Sequence, residues 1–165
     1  MENTVSLETC TQQVRLMARR TALLHHYFAV TLADALGEER ARELVEEAVR
    51  RYGEHCGRSV RAQVEAQGLE NSPENYGKGK DLPAFGWESA DVETAPGETA
   101  RVVTFCPLAD VFQEVGDVKF GRLYCHVDQA KQTAYNPDYE FVHAKNVLDG
   151  DAYCQFVTRK RPAGA

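Results

Sequence analysis

The feature that most restricts the fold is a pair of long amphipathic segments, which a single glycine separates. In residues 8–35 apolar side chains recur at every third or fourth position, the spacing of one helix face. Gly37 follows where a helix-terminating glycine belongs. The second periodic segment, 38–67, stops at Gly68. Because the link is so short, we predict an antiparallel helical hairpin.

Two glycines interrupt the apolar stripe of the second predicted helix. Gly53 and Gly57 lie about one helical turn apart. Each costs about 1 kcal/mol relative to alanine inside a helix. Close approach by another backbone, which leaves no room for a side chain, would justify that cost. We therefore expect a neighbouring segment to contact this helix at the two glycines.

The pattern changes twice after the helical hairpin. Residues 70–86 are rich in Asn, Pro, Gly and Lys, which predicts a long loop. The chain then becomes β-like, with one hairpin turning at 95–97 and a second at Asp149–Gly150. Between these hairpins we predict helices over 110–114 and 119–134.

This order of elements predicts an α+β fold. The N-terminal helical hairpin is expected to cover one side of a four-stranded, mainly antiparallel sheet, with one further helix. A chain of 165 residues fits one domain. Within it, 1–69 are predicted to be the helical hairpin, 70–86 the loop, and 87–160 the part that carries the functional site.

Composition excludes several classes of protein. A formal charge of -6 and an isoelectric point near 5.4 give no support for nucleic-acid binding. The longest apolar stretch, 21–36, is interrupted by His25, His26 and Asp34, so no membrane span is expected. The first ten residues do not resemble a secretory signal, and we expect a cytoplasmic protein.

The five cysteines are scattered, odd in number and contain no CxxC pair. This pattern is typical neither of a disulfide framework nor of a zinc ribbon, and we predict no cofactor. Free thiols therefore remain, either packed as small apolar groups or reactive. They are Cys10, Cys56, Cys106, Cys125 and Cys154.

Thiols, imidazoles and carboxylates fall close together in the C-terminal half. Cys125 and Asp128 are three residues apart on a predicted helix, so they share a face. A thiol needs a base or a positive neighbour to act as a nucleophile at neutral pH. Each residue also has a simpler explanation. The thiols would pack in the core, His143 would be a sheet residue whose ring nitrogens have hydrogen-bond partners, and Asp151 would form a turn. A metal site made of Cys, His and Asp is a third interpretation, although no standard spacing is present.

Three strings resemble the L-2-amino-thiazoline-4-carboxylic acid hydrolase family. They are CPLADVFQEVGD, LYCHVDQAKQTAYNPDYEF and LDGDAYCQF. The similar features are a Cys-Pro pair, a Cys-x-x-Asp, an Asn-Pro and a Gly-Asp-x-x-Cys-x-Phe. These motifs cover residues 100–157, whereas the helical N-terminal half contains no sharp motif.

The resemblance implies an enzyme that opens a small cyclic amidine-like ring by hydrolysis at a C–N bond. Carboxylates would hold the cationic amidine, and either a cysteine would attack the ring carbon or a carboxylate would activate water. Residue type alone suggests an arginine of the second helix for the substrate carboxylate. The catalytic candidates are Cys106, Cys125, Asp128, His143, Asp151 and Cys154, and the binding candidates are Arg58 and Arg61.

We expect Cys106, Cys125 and Cys154 to converge on one cavity, with one thiol more acidic than the usual value of about 8.5. Cys10 and Cys56 are expected to have no part in activity. The expected partner is a small-molecule substrate, with no nucleic acid and no membrane. Whether the chain forms a homo-oligomer is left open. The alternatives to an enzyme are a non-enzymatic small-molecule-binding domain and a small Cys/His metal-binding protein.

Overall fold

The two long helices predicted at the N-terminus are present in the computed structural model. Helix α1 spans Leu7–Leu36 and α2 spans Glu38–Glu65. Gly37 joins them with a φ of +85°, a conformation that side chains rarely adopt. The helical hairpin is therefore confirmed. The structure describes residues 4–83, 85–94 and 98–162.

Within the described residues the sheet has four strands in the order β1-β2-β4-β3, and each neighbouring pair is antiparallel. This arrangement confirms the α+β class and the antiparallel sheet. The predicted turn at 95–97 lies outside the described residues. The strands are β1 Glu88–Val92, β2 Glu98–Phe105, β3 Tyr139–Lys145 and β4 Cys154–Lys160.

The second hairpin has a longer connection than a two-residue Asp-Gly turn. Between β3 and β4 the chain forms a short 3-10 helix, Val147–Asp149. Gly150 follows with a φ of +97° and ends that helix. The Asp-Gly pair therefore lies where the chain reverses direction. It ends a helical turn inside a longer connection and does not form a two-residue hairpin turn.

Three short helices lie between the two hairpins. Helix α3, Pro107–Glu114, begins earlier than predicted because proline suits the first helical position. The helix predicted over 119–134 is two helices, α4 Val118–Tyr124 and α5 His126–Tyr135. They separate at Cys125, whose backbone N–H bonds to the carbonyl of Arg122, three residues back, at 3.2 Å. This tighter hydrogen bond is typical of a 3-10 turn and redirects the chain.

Helix α5 packs against α2 on one side and β3 on the other. The two glycines of α2 allow this close contact. A Cβ atom on Gly57 would lie 2.1 Å from the carbonyl oxygen of Lys131, and one on Gly53 would lie 2.6 Å from that of Val127. The expectation that a neighbouring backbone contacts these glycines is confirmed. The close packing fixes which face of α5 meets the loop and the sheet.

Candidate functional site

Two carboxylates and one ammonium group meet beside α5. Lys131 Nζ lies 2.8 Å from Asp81 Oδ2 and 3.3 Å from Asp128 Oδ1. The side chains of Lys131 and Asp81 are 9% and 14% exposed, whereas Asp128 is 31% exposed. Asp81 comes from the segment predicted as a long loop, where the Tyr76 hydroxyl donates to its Oδ2 at 3.1 Å. We call Asp81, Asp128 and Lys131 the carboxylate–lysine cluster.

The pKa values in this cluster favour the charged forms. Burial alone would raise the pKa of Asp128, but His143 and Lys131 together outweigh it and hold the pKa below its usual value. Burial alone would lower the pKa of Lys131, but the groups around it, Asp128 first, raise it well above the usual range. Both side chains are therefore ionised at neutral pH.

His143 approaches Asp128 from β3. Its side chain is 3% exposed, and Nε2 lies 3.6 Å from Asp128 Oδ2, beyond hydrogen-bond distance. Nδ1 lies 3.4 Å from Nδ2 of Asn146. The Asn146 Oδ1 accepts the Leu148 backbone N–H at 2.9 Å, so its amide nitrogen faces the imidazole. This arrangement assigns the proton of a neutral His143 to Nε2, the nitrogen that faces Asp128.

The three C-terminal thiols lie near one another. Cys106 and Cys125 pack against the same apolar cluster, which includes Ala109 and Leu148. Cys154 Sγ accepts the Val147 backbone N–H at 3.5 Å. Charge on Cys154 would raise the pKa of Cys106, and charge on Cys106 would raise that of Cys125. The structure thus brings the cysteines of three elements to one region.

None of these thiols is acidified. Burial raises the pKa of Cys125 to about 12 and also raises those of Cys106 and Cys154. At Cys106, the backbone N–H groups of Ala109 and Leu108 at the start of α3 lower the pKa, but burial outweighs them. The prediction of one unusually acidic thiol is therefore wrong, because it left out the desolvation of a thiolate among apolar side chains.

Other predicted site residues lie outside the carboxylate–lysine cluster. Asp151 is exposed, and its carboxylate accepts the Asn146 backbone N–H at 2.8 Å, which ties the β3–β4 connection together. Arg58 and Arg61 are 62% and 45% exposed and pair with glutamates of α2 itself. Arg58 also lines a groove of about 580 Å³ between α2 and α5, on the side of α5 opposite Asp128.

Several residues of this region were missed by the sequence reasoning. Lys131 follows Asp128 by three positions, so the spacing that relates Asp128 to Cys125 could also have indicated it. Asp81 and Asn146 are brought in by tertiary packing, and no local pattern marks them. Cys56 lies beside Tyr52 on α2, and both influence the pKa of Tyr124 near the cluster. Cys56 was expected to have no part in activity, yet it lies near this region.

Arg122 of α4 has an incomplete set of partners. Its Nε donates to both carboxylate oxygens of Asp149, at 2.9 and 2.8 Å. Its Nη1 is buried and has no hydrogen-bond partner among the residues that the structure describes. The positive charge of Arg122 lowers the pKa values of Cys125 and Cys154, although burial dominates both. An unsatisfied donor therefore lies near the thiols.

Neither a metal centre nor a membrane helix is present in the described part of the chain. No group of three or more His, Cys, Asp or Glu side chains there is placed to hold a metal ion. None of the described helices is both long and apolar enough to cross a bilayer.

Residues 16–157 match the family model described as L-2-amino-thiazoline-4-carboxylic acid hydrolase. No curated protein matches the chain. Among solved structures, a trafficking protein particle complex subunit 3 from Naegleria fowleri, covalently bound to palmitic acid, is similar with a TM-score of 0.55 and 13% identity. That match covers 89% of this chain and 96% of the other.

A second similar structure is the phenol-responsive sensory domain of the transcription activator PoxR with phenol. Its TM-score is 0.51 at 17% identity, and the match covers 85% of this chain and 74% of that one. At these identities the likeness to both structures concerns the fold.

Proposed function

Because the chain belongs to the L-2-amino-thiazoline-4-carboxylic acid hydrolase family, we propose that it opens a small cyclic amidine of the 2-aminothiazoline carboxylate type by hydrolysis of a C–N bond. The observation that carries this proposal is the carboxylate–lysine cluster beside His143, with two carboxylates for one ammonium group. All its residues lie inside the matched range 16–157.

The charge of the cluster suits a cationic substrate. Two aspartates face one lysine, so carboxylates outnumber ammonium groups in a largely buried place. A carboxylate without a cationic partner is costly to bury. A protonated 2-aminothiazoline is an isothiouronium cation that would supply the missing charge. Asp128 is the most exposed of the three side chains, so it is the group that a ligand would reach.

Water is the nucleophile that this region favours. In an isothiouronium ring, the carbon between sulfur and nitrogen is electrophilic. Water adds to that carbon while Asp128, which lies beside His143, accepts its proton. The bond from this carbon to the ring nitrogen then breaks, the nitrogen takes the proton, and a thiocarbamate with a free amine is released.

Attack by a cysteine fits the region less well. A pKa of about 12 for Cys125 leaves almost none of its thiol ionised at neutral pH. We assign Cys106, Cys125 and Cys154 to the wall of the site. Their role as nucleophiles stays a prediction that substitution by serine would test.

Arg122 is our candidate for binding the substrate carboxylate. Its Nη1 is buried without a partner among the described residues, and a guanidinium donates in the fork geometry that a carboxylate matches. The earlier candidates Arg58 and Arg61 already pair with Glu54 and Glu65 at the protein surface. Arg122 lies three residues before Cys125, on the side of the thiols.

The experiment is a substrate screen read by mass spectrometry. Purified protein is incubated with 2-aminothiazoline-4-carboxylate, with the same ring lacking the carboxylate, and with cyclic amidines in which the ring sulfur is replaced. We expect the carboxylate-bearing thiazoline to gain one water. The Arg122→Gln variant should raise KM for it at least about 10-fold and leave the carboxylate-free ring unaffected. Arg58→Gln is the matched control and should change neither.

Two results would contradict the proposal. If no ring in the panel opens, the hydrolase assignment is wrong. If a ring binds in calorimetry but is never opened, the chain is the non-enzymatic small-molecule-binding domain that the sequence left as an alternative.

A further inference from the structure

Helix α1 is apolar on two opposite faces. Its inner face packs through Ala18, Ala22 and Ala29, which are buried. Its outer face carries five large apolar side chains that are 52–64% exposed. At 100° per residue these five fall on an arc of about 120°, opposite the buried alanines. We call them the α1 apolar face: Leu16, Met17, Leu24, Tyr27 and Phe28.

Single exposed apolar residues are ordinary, but a contiguous set of this size is not. A fully buried aromatic side chain covers about 150–250 Å², so five large side chains exposed by about 60% present roughly 500 Å². This area lies at the upper end of the patches found on monomers. With the polar residues of the same arc, among them Gln13, Arg20 and Thr31, it approaches the roughly 800 Å² per partner of a stable complex.

The spacing of the face points to a second copy of the chain as the partner. The positions 16, 17, 20, 24, 27 and 28 are symmetric about residue 22. In an antiparallel pair of α1 helices, related by a two-fold axis at that level, Leu16 lies beside Tyr27 of the other copy and Met17 beside Phe28, because each pair shares a flank of the face. Arg20 lies opposite Leu24. A two-fold dimer requires this kind of self-complementary patch.

Charge is consistent with such a pairing. Between residues 13 and 31 the arc carries no acidic residue, and Arg20 is its one cation there; Asp34 lies on the edge of the arc near the C-terminal end of α1. In the antiparallel register Arg20 reaches the apolar body of Leu24 and the ring of Tyr27 on the other copy. A guanidinium stacks well on an aromatic ring while its long stem covers apolar surface. From these observations we propose that the protein forms a symmetric homodimer through the α1 apolar face, with α1 antiparallel to its copy about residue 22.

The test is sedimentation velocity on the full chain over about 1 to 100 μM, a range suited to a micromolar dimer. Wild-type protein should sediment at about twice the 18.4 kDa chain mass. Leu24→Arg places an added cation opposite Arg20 of the other copy and should weaken association at least about 100-fold. Leu7→Arg is the matched control: Leu7 is 67% exposed on the same helix but lies off the face, so this variant should stay dimeric.

A charge exchange tests the register. The double variant Arg20→Asp/Leu24→Arg places the introduced carboxylate of one copy opposite the introduced guanidinium of the other and should restore the dimer. Circular dichroism checks that each variant keeps its helices, and Tyr27→Lys is a second disruptive variant. A monomeric wild type, a dimeric Leu24→Arg variant or a monomeric double variant would each overturn the proposal. A monomeric wild type that binds lipid vesicles would show that a membrane covers the face instead.

Discussion

Replacing Lys131 by methionine tests the carboxylate–lysine cluster as a unit of the fold. Methionine keeps most of the side-chain volume but removes the ammonium that lies 2.8 Å from Asp81 and 3.3 Å from Asp128. Removing one partner of a buried ion pair typically costs about 3–5 kcal/mol, because the remaining charge stays buried. Asp128 is 31% exposed and is partly solvated, so we expect the lower end, about 3 kcal/mol.

Urea denaturation followed by circular dichroism measures this effect. With a denaturant dependence of about 2 kcal/mol per molar urea, the midpoint should fall by about 1.5 M. Lys119→Met is the matched control, since its partner is Glu38 and both side chains are more than half exposed, at 73% and 57%. The control should leave the urea midpoint nearly unchanged, because an ion pair exposed to solvent contributes little to stability.

The pH dependence gives the same test a direction. The lowered pKa of Asp128 stabilises the wild-type fold above the unfolded value of about 3.9, and this contribution is lost as pH falls through the folded pKa. In the methionine variant, protonation of Asp128 relieves the charge that has lost its ammonium partner. The difference between variant and wild type should therefore shrink from pH 7 to pH 4. Equal midpoints for Lys131→Met and Lys119→Met at pH 7 would refute this account of the cluster.

Two further predictions follow from packing and burial. Gly57→Ala should destabilise the protein by about 2 kcal/mol in urea, because the added Cβ would lie 2.1 Å from the Lys131 carbonyl oxygen. The control Gly77→Ala has open space around the added Cβ and should be nearly neutral. Equal urea midpoints for the two variants would contradict the close approach of α2 and α5. Iodoacetamide at pH 7.5 should alkylate Cys125 at least about 100-fold more slowly in the folded than in the urea-unfolded protein, since a pKa near 12 suppresses the thiolate. Peptide mass spectrometry measures the labelling of each cysteine. If Cys125 is the fastest-labelled cysteine of the folded protein, burial does not suppress its reactivity.

Most of the architecture follows from local patterns. Helices α1 and α2 are long and strongly periodic, with Gly37 and Gly68 near their ends, so their positions could be predicted. The close contact at Gly53 and Gly57 could also be expected, because helix interiors rarely tolerate glycine without a reason. The break at Cys125 could not be predicted, since no proline or glycine marks it and the redirection comes from tertiary packing.

The site was predictable only in part. Asp128 and Cys125 were found because they are close in sequence, and Lys131 has the same kind of spacing. Asp81 reaches the cluster through the packing of a loop, for which sequence offers no periodic signal. The raised thiol pKa values depend on burial, which the order of residues does not reveal.

The most direct test of the proposed hydrolysis is the steady-state kinetics of Asp128→Asn on the ring substrate that the screen identifies. Asparagine keeps the shape of the side chain but removes both the negative charge and the basic oxygen. We expect kcat to fall by about 100- to 10,000-fold and KM to rise, because one residue both accepts the proton and holds the cation. Asp91→Asn, at an exposed carboxylate on β1, is the matched control and should behave as wild type. An Asp128→Asn variant with unchanged kcat and KM would contradict the account.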